Sequence, residues 1–160
     1  MALTLVRVDD RLIHGQVAAI WLKELPARRI IIVDDATARD EFLREVIELA
    51  APGGVEVEVL DLDRGIERLR RAESDPEPAF ALFRSPFTAL AIRRAGVEFP
   101  VLNVGGLGMR PGRRRIHRSV AAADDELAAL HELERLGTRV EIRIVPGDRP
   151  AGLPSIGAST

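Results

Sequence analysis

Four consecutive β-branched residues, Ile-Ile-Ile-Val at 30–33, constrain the fold of this chain more than any other feature. A continuous apolar run of this kind is typical of a strand that is covered on both faces. Other short apolar runs recur along the sequence and alternate with segments of helical character. This alternation predicts an α/β fold, with an open, mainly parallel β-sheet and helices on both of its faces. Because 160 residues suit one domain of ordinary size, we expect a single domain.

The predicted elements follow from hydrophobic periodicity and from turn residues. Strands are predicted at Leu3–Val8, 30–33, 55–59, Ala79–Phe83, Val101–Val104, 116–120 and 140–145. Helices are predicted from Leu12 or Ile13 to Leu25, and over 38–50, 64–72, 86–95 and 124–136. The alternation of valine with glutamate in the third strand indicates an edge position. Residues 1–146 are expected to form the domain, and residues 147–160 a loosely ordered C-terminal tail.

Helix starts and one helix face can also be predicted. Thr37, Ser85 and Asp124 are expected to serve as N-caps of the second, fourth and fifth helices. The inward face of the first helix is predicted to carry Val17, Ile20, Trp21 and Leu25. Trp21 is accordingly expected in the core, with a contact to a partner as the alternative.

The composition excludes several kinds of function. The chain contains no cysteine, so disulfides, zinc–thiolate sites and iron–sulfur clusters are ruled out. Its net charge of −2 and aromatic content of 4% argue against nucleic-acid binding. Three scattered histidines predict no metal site, and nothing in the sequence requires a cofactor. No apolar run approaches the roughly 20 residues of a membrane span, so we expect a cytoplasmic protein.

The loop after the first strand carries the candidate catalytic residues. Asp9, Asp10 and Arg11 are followed closely by His14, at a position where open α/β sheets bind ligands. An unperturbed imidazole, with a pKa of about 6.5, is neutral at working pH and able to accept a phosphoryl group. We therefore interpret His14 as a nucleophile that carries a phosphoryl group, with Asp10 or Asp9 orienting its ring. The alternative is an ordinary capping or surface histidine.

The neighbours of His14 are suited to hold a phosphate. Arg11 lies three residues earlier and can present its guanidinium as a bidentate fork. The backbone N–H groups of Ile13, His14 and Gly15 are predicted to open a helix, whose N-terminus favours an anion. These four residues are the predicted phosphate-binding loop.

Three other features have competing interpretations. Gly105 and Gly106 form either an anion-binding nest beside the loop or a turn that no ligand touches. The preferred interpretation of the basic residues Arg110 and 113–115 is a solvated loop. Docking to an acidic or phosphorylated partner is the second interpretation, and RNA binding is the third. The Asp-Asp pair at 34–35 is expected to be structural or N-capping, and to approach the loop only if the first two strands are neighbours.

Several strings of the sequence together resemble a known family. The most specific is VRVDDRLIHGQV at 6–17, followed by Trp21. Further matching strings are VDD at 33–35, PG at 52–53, SP at 85–86, NVGG at 103–106 and VP at 145–146. Over nearly its whole length the chain resembles the enzyme IIB component of the mannose/fructose/sorbose class of the bacterial phosphoenolpyruvate-dependent sugar phosphotransferase system. It departs from that pattern at Leu107, where members commonly have methionine, and in the heavy basic run at 113–115.

The resemblance implies a phosphocarrier transferase. In that family the histidine matching His14 takes a phosphoryl group from a phosphohistidine of the IIA component and passes it to a sugar imported by the membrane components IIC and IID. The arginine matching Arg11 helps to hold the phosphate. The donor is expected on a separate chain, and the protein at the inner face of the membrane when docked to its transporter. A homo-oligomer is compatible with this role.

Two other functions are kept as alternatives. The basic run favours a regulatory module of the same fold that is phosphorylated but serves no sugar transport. A nucleotide-binding α/β domain is the weaker alternative, because the first strand–helix turn lacks the glycine fingerprint of dinucleotide sites.

Overall fold

The computed structural model describes residues 3–13 and 15–156, and of residues 15 and 16 the backbone alone. Its strands are β1 (Leu3–Val8), β2 (Arg29–Val33), β3 (Glu56–Leu60), β4 (Ala79–Phe83), β5 (Val101–Val104), β6 (Arg114–His117), β7 (Val120–Ala122) and β8 (Arg139–Ile142). Its helices are α1 (Gly15–Glu24), α2 (Asp35–Arg39), α3 (Glu41–Ala50), α4 (Leu62–Ala72), α5 (Pro86–Arg94) and α6 (Asp124–Arg135). In this described part, no helix is long and apolar enough to cross a membrane.

Six strands form one parallel sheet in the order β3-β2-β4-β1-β5-β8. This sheet confirms the predicted open, parallel architecture, and β3 takes the predicted edge position. β1 lies in the interior, with Val8 opposite Phe83 of β4 and Val104 of β5. Because the six strands run in one direction, the segments that follow β1, β4 and β5 all leave the sheet at the carboxyl ends of its strands.

Helices cover both faces of the sheet, as predicted. On one face, Ile30 and Ile32 pack in a core with residues of α1 and α3. On the other face, Ile31 and Val33 pack in a core with residues of α4, α5 and α6. The run at 30–33 is continuous because alternate side chains enter two different cores, and all four are fully buried.

Two features of α1 differ from the sequence prediction. The helix begins at Gly15 rather than at Leu12 or Ile13, because Leu12 has a φ of +54°, a left-handed conformation outside the α-helical range. Ile20 is 39% exposed, so it does not belong to the predicted inward face. Trp21 is buried, which confirms its expected place in the core.

The predicted helix over 38–50 is two helices, α2 and α3. The break lies at Asp40, whose backbone is extended and whose side chain accepts a hydrogen bond from the Leu43 N–H (3.0 Å). Asp34 caps α2 in the same way through the Thr37 N–H (3.0 Å). Thr37 is therefore buried inside α2 instead of serving as the N-cap, while the expected capping role of Asp34 is confirmed.

Two predicted boundaries in the second half of the chain are also wrong. The predicted strand over 116–120 is a hairpin of β6 and β7, because the chain reverses direction at residues 118–119. Ala123 occupies the N-cap position of α6, and Asp124 is the first helical residue rather than the cap. The N-cap predicted at Ser85 is confirmed by its hydrogen bond from the Phe87 N–H (3.1 Å).

The last strand ends earlier than predicted, at Ile142 rather than at residue 145. Ile142 and Ala151 exchange backbone hydrogen bonds of 2.8 and 3.0 Å, which brings the chain back antiparallel to the end of β8. Leu153 packs against the larger core. The predicted boundary between a domain over 1–146 and a tail over 147–160 stays a prediction.

Candidate functional site

The loop after β1 meets two other segments at the carboxyl edge of the sheet. The Asp9 N–H donates to the Phe83 carbonyl at the end of β4 (2.9 Å), and the Asp10 N–H donates to the Gly106 carbonyl beyond β5 (2.7 Å). A bond from the Leu12 N–H to the Asp9 carbonyl (3.0 Å) closes a turn within the loop. The loop is thus held from both sides at the position where open α/β sheets bind ligands.

Asp9 is the centre of a buried ion-pair cluster. Its Oδ1 accepts hydrogen bonds from the Arg11 N–H (2.9 Å) and Nε (3.1 Å). Its Oδ2 accepts from Arg7 Nη2 (3.1 Å), Arg11 Nη2 (3.2 Å) and the Gly106 N–H (3.2 Å). Burial by itself would raise the pKa of Asp9, but the bonds from Arg11 and the charge of Arg7 outweigh it, and the pKa is lowered. Because both oxygens of Asp9 are engaged, Asp10 is the better candidate to orient an imidazole.

Arg7 is a functional candidate that the sequence analysis missed. Its Nη1 donates to the Asn103 Oδ1 and to the Arg143 carbonyl (2.9 Å), while its Nη2 binds Asp9. Burial lowers the pKa of Arg7, and the pairing with Asp9 opposes that shift. The sequence signal that could have identified Arg7 is a charged residue inside a mostly apolar strand, because an arginine buried there requires a partner.

The Trp21 indole covers this cluster from the side of α1. Its Nε1 donates to the Ile144 carbonyl (3.1 Å). The guanidinium carbons of Arg7 and Arg143 each lie 5.6 Å from the ring centroid, within the range of cation–π attraction. Trp21 therefore ties α1 both to β1 and to the segment that follows β8.

Arg11 presents part of its guanidinium to solvent. Its side chain is 45% exposed, with Nε and Nη2 held by Asp9. Among the described residues, no acceptor is hydrogen-bonded to the third nitrogen, Nη1. The hydrogen bonds to Asp9 raise the pKa of Arg11, so the side chain stays a cation. Since Arg7 balances the charge of Asp9, the three side chains together keep one positive charge at this edge.

One known protein family matches almost the whole chain. The family model for the PTS system sorbose subfamily IIB component, where PTS is the sugar phosphotransferase system, matches residues 3–156. This chain belongs to that family. The IIB component is therefore a sugar-specific part of the phosphotransferase system, which implies phosphotransfer in sugar transport.

The relatives of this IIB component align with nearly all of its length. It is 38% identical over 148 residues to the sorbose-specific EIIB component of Klebsiella pneumoniae, covering 92% of this chain and 90% of the relative. It is 34% identical over 148 residues to the mannose-specific EIIAB component of Escherichia coli K12, covering 92% of this chain and 46% of that longer protein. The crystal structure of the IIBSor domain of the Klebsiella pneumoniae sorbose permease superposes with a TM-score of 0.89 at 37% identity, covering 95% of this chain and 93% of that one.

The predicted phosphate-binding loop of the IIB component is described on both sides of His14. His14 itself lies outside the described residues, so its roles as nucleophile and phosphate carrier stay predictions. Ile13 is buried and precedes the helix. α1 begins at Gly15, directly after His14, so the helix N-terminus lies later in the loop than predicted.

Asp10 joins the loop to the glycine-rich segment beyond β5. Its Oδ2 accepts hydrogen bonds from the Gly108 N–H (2.7 Å) and from Arg113 Nη1 (3.0 Å). Its Oδ1 is buried, makes no hydrogen bond within the described part of the chain, and lies 3.5 Å from Arg110 Nη2. Asp10 thus has one acceptor atom left for a further donor, which is compatible with its predicted role of orienting an imidazole.

Arg113, the first residue of the basic run at 113–115, is not solvated, whereas Arg115 is exposed. The Arg113 side chain is 7% exposed and binds Glu126 through Nε (2.8 Å) and Nη2 (2.7 Å). Arg114 pairs with Asp124 (2.9 Å). The solvated interpretation is therefore wrong for Arg113, because its charge is taken up by carboxylates of this same chain.

Gly105 and Gly106 are explained by the space that two arginines need. A Cβ at Gly105 would lie 2.0 Å from Arg7 Nη2, and a Cβ at Gly106 would lie 2.9 Å from Arg11 Nη2. Their N–H groups donate to the Val8 carbonyl (2.9 Å) and to Asp9 Oδ2 (3.2 Å). Because both amides already donate within the protein, these contacts favour the alternative of a turn, and phosphate binding by this glycine pair stays a prediction.

Proposed function

We propose that this IIB component is a phosphocarrier transferase that accepts a phosphoryl group on His14. The donor is a phosphohistidine of a IIA component, and the acceptor is a sugar imported by the membrane components IIC and IID. The observation that carries the proposal is the placement of Arg11, whose guanidinium is anchored on Asp9, half exposed, and three residues before His14. A fixed cation at that place suits an incoming phosphoryl group.

The proposed reaction exchanges one phosphorus–nitrogen bond for another. The neutral imidazole of His14 attacks the phosphorus, and the bond to the donor's imidazole breaks, so that the donor ring keeps the released electron pair. One proton passes from the His14 ring to the donor ring, which leaves as a neutral imidazole. In the second transfer a sugar hydroxyl attacks the phosphorus, and the bond to His14 breaks with its electron pair staying on the His14 nitrogen. The proton lost by the hydroxyl passes to the His14 ring, which returns to the neutral imidazole as the phosphate ester forms. In both steps Arg11 stabilises the charge on the phosphoryl oxygens.

The proposed phosphate-binding loop consists of Arg11, Ile13, His14 and Gly15. α1 starts at Gly15 and has no acidic residue in its first turn, so its N-terminal N–H groups favour an anion. Asp10 is proposed to orient the imidazole, since its Oδ1 has no hydrogen-bond partner among the described residues. The carboxylate would then select which ring nitrogen is available to attack.

The proposed partners follow from the family and from one relative. The Escherichia coli mannose-specific protein is named EIIAB, which joins the IIA and IIB designations in one chain. We infer that a IIA protein also serves as donor here, and that transfer to the sugar takes place at the inner face of the membrane, on IIC and IID. Self-association into a homo-oligomer stays a prediction.

Incubation with a phosphorylated IIA protein tests the proposal. The wild type is expected to take up acid-labile, base-stable phosphate, which mass spectrometry locates on His14, and His14→Ala is expected to take up none. His131→Gln is the matched control, because it removes an imidazole of α6 that lies against the Pro154 carbonyl (2.8 Å), outside the loop. Equal labelling of the wild type and His14→Ala would contradict the proposal.

An assay with vesicles that contain IIC and IID distinguishes a role in sugar transport from a purely regulatory role. Phosphorylated wild-type protein is expected to transfer its phosphate to a sugar of the sorbose, fructose or mannose type. Retention of the phosphate with every such sugar would instead support the regulatory module.

A further inference from the structure

A buried arginine outside the loop connects it to the start of α6. Arg113 Nη1 donates to Asp10 Oδ2 (3.0 Å) and to the Gly108 carbonyl (2.8 Å). Its Nε and Nη2 donate to the two carboxylate oxygens of Glu126 (2.8 and 2.7 Å). All three nitrogens of the guanidinium are therefore engaged between two carboxylates, and the side chains of Arg113, Asp10 and Glu126 are 7%, 12% and 10% exposed.

Glu126 determines where Arg113 lies. Its Oε1 also accepts a hydrogen bond from the Ala123 N–H at the start of α6 (3.0 Å). Burial by itself would raise the pKa of Glu126, but the hydrogen bonds from Arg113 and Ala123 outweigh it, and the pKa is lowered. An ionised, doubly bonded Glu126 gives Arg113 a single position relative to α6.

Asp10 transmits that position to the loop. In the sequence it lies between Asp9, which holds the guanidinium of Arg11, and Arg11 itself. Its side chain is bound by Arg113 and by the Gly108 N–H (2.7 Å), and its backbone N–H by the Gly106 carbonyl (2.7 Å). A displaced Asp10 would therefore shift the peptide groups on both sides of it.

We propose that Arg113 is a positioning residue for phosphoryl transfer, which holds the loop of Arg11 and His14 in place through Asp10. The inference rests on the proposed function of His14. Because a misplacement of about 1 Å can cost about 100-fold in rate, Arg113→Gln is expected to slow phosphoryl acceptance at saturating IIA donor by about 10- to 100-fold. The KM for the donor is expected to change by less than about twofold, because the buried Arg113 does not face a partner.

Arg114→Gln is the matched control. Arg114 is the next residue, and it also connects β6 to the first turn of α6, through Asp124 (2.9 Å), but it does not bind Asp10. Arg114→Gln is therefore expected to accept phosphate at the wild-type rate. Arg113→Lys keeps the positive charge with one nitrogen in place of three, and an intermediate rate is expected.

Thermal unfolding monitored by circular dichroism first establishes that each variant is folded at the assay temperature. If Arg113→Gln does not fold, the rate of phosphoryl acceptance is compared between Arg113→Lys and the wild type instead. A purely structural role for Arg113 would lower the unfolding temperature and leave the rate constant of the folded protein unchanged, and that result would overturn the inference.

A double-mutant cycle with Asp10→Asn decides whether Arg113 acts through Asp10. If it does, the double variant is no slower than the slower single variant, whereas independent effects multiply. Multiplied effects would overturn the inference while His14 labelling still supports the proposed function. A wild type that is not labelled on His14 would instead refute the proposed function, and the inference with it.

Discussion

The guanidinium of Arg11 lies against the carboxylate of Asp9, with Nε 3.1 Å from Oδ1 and Nη2 3.2 Å from Oδ2. Two such bonds fix the plane of the guanidinium, which a single bond does not. Asp9 is itself held by Arg7 (3.1 Å) and by the Gly106 N–H (3.2 Å). Arg11 is therefore ordered before an anion arrives, and little reorganisation is needed when charge develops in the reaction.

Arg11→Gln is expected to slow phosphoryl acceptance on the order of 100-fold, because it removes a preorganised cation at the developing charge. The free energy of unfolding is expected to change by about 1 kcal/mol or less, because Arg11 is half exposed and Asp9 remains paired with Arg7 in the variant. Labelling by a phosphorylated IIA protein and urea unfolding measure the two effects. Arg64→Gln, at a side chain that is 79% exposed, is the control and should retain the wild-type rate. A wild-type rate for Arg11→Gln would contradict the assigned role.

Asp9→Asn is expected to lower the free energy of unfolding at pH 7 by about 3–5 kcal/mol, because it leaves the buried charge of Arg7 without its counter-ion. The folded-state pKa of Asp9 is lowered, so its contribution to stability is present above the ordinary value of about 3.9 and is lost as pH falls through the folded value. The difference between wild type and variant should therefore be largest at pH 7 and shrink below about pH 4. Urea unfolding at a series of pH values measures it.

Asp63→Asn, at an exposed position of α4, is the control for Asp9→Asn and is expected to follow the wild-type pH dependence. If the difference between wild type and Asp9→Asn stayed constant down to pH 3, the lowered pKa would be refuted.

Gly105→Ala is expected to lower the free energy of unfolding by about 1–3 kcal/mol, as overpacking of a filled interior does. The new Cβ would lie 2.0 Å from Arg7 Nη2, and Arg7 is buried and held by several partners, so it cannot swing aside. Gly53→Ala is the control, because its Cβ would meet nothing within 4 Å and should change stability by less than about 0.5 kcal/mol. Chemical denaturation compares the two, and equal stabilities would show that the guanidinium is not confined.

Local patterns in the sequence were sufficient for the central strands. The predicted bounds of β1, β4 and β5 agree with the structure, because apolar runs bounded by turn residues are a strong strand signal. Helix starts were less predictable. α1 begins later than predicted, after Leu12 in a left-handed conformation. The predicted second helix is two helices, because Asp40 has an extended backbone and caps α3. Hydrophobic periodicity does not encode either of these backbone conformations.

The strand order shows that the first two strands are not neighbours, so the condition for residues 34–35 to approach the loop is not met. β4 lies between β1 and β2, so the Asp-Asp pair at 34–35 follows a strand that is not adjacent to β1. Asp34 instead pairs at 4.0 Å with Arg84, which follows β4. Sequential strands often neighbour each other, but here β4 pairs with both β1 and β2, through contacts between residues that are far apart in the sequence.

The sequence by itself determined the parallel α/β class, the family, and the loop in which an arginine stands three residues before a histidine. Only the tertiary structure decided which groups those loop residues bind. Arg7 pairs with Asn103, 96 residues away, and Asp10 with Arg113, 103 residues away. Hydrophobic periodicity and capping act over a few residues, whereas these pairs form when the sheet places β5 beside β1 and water is excluded from both partners.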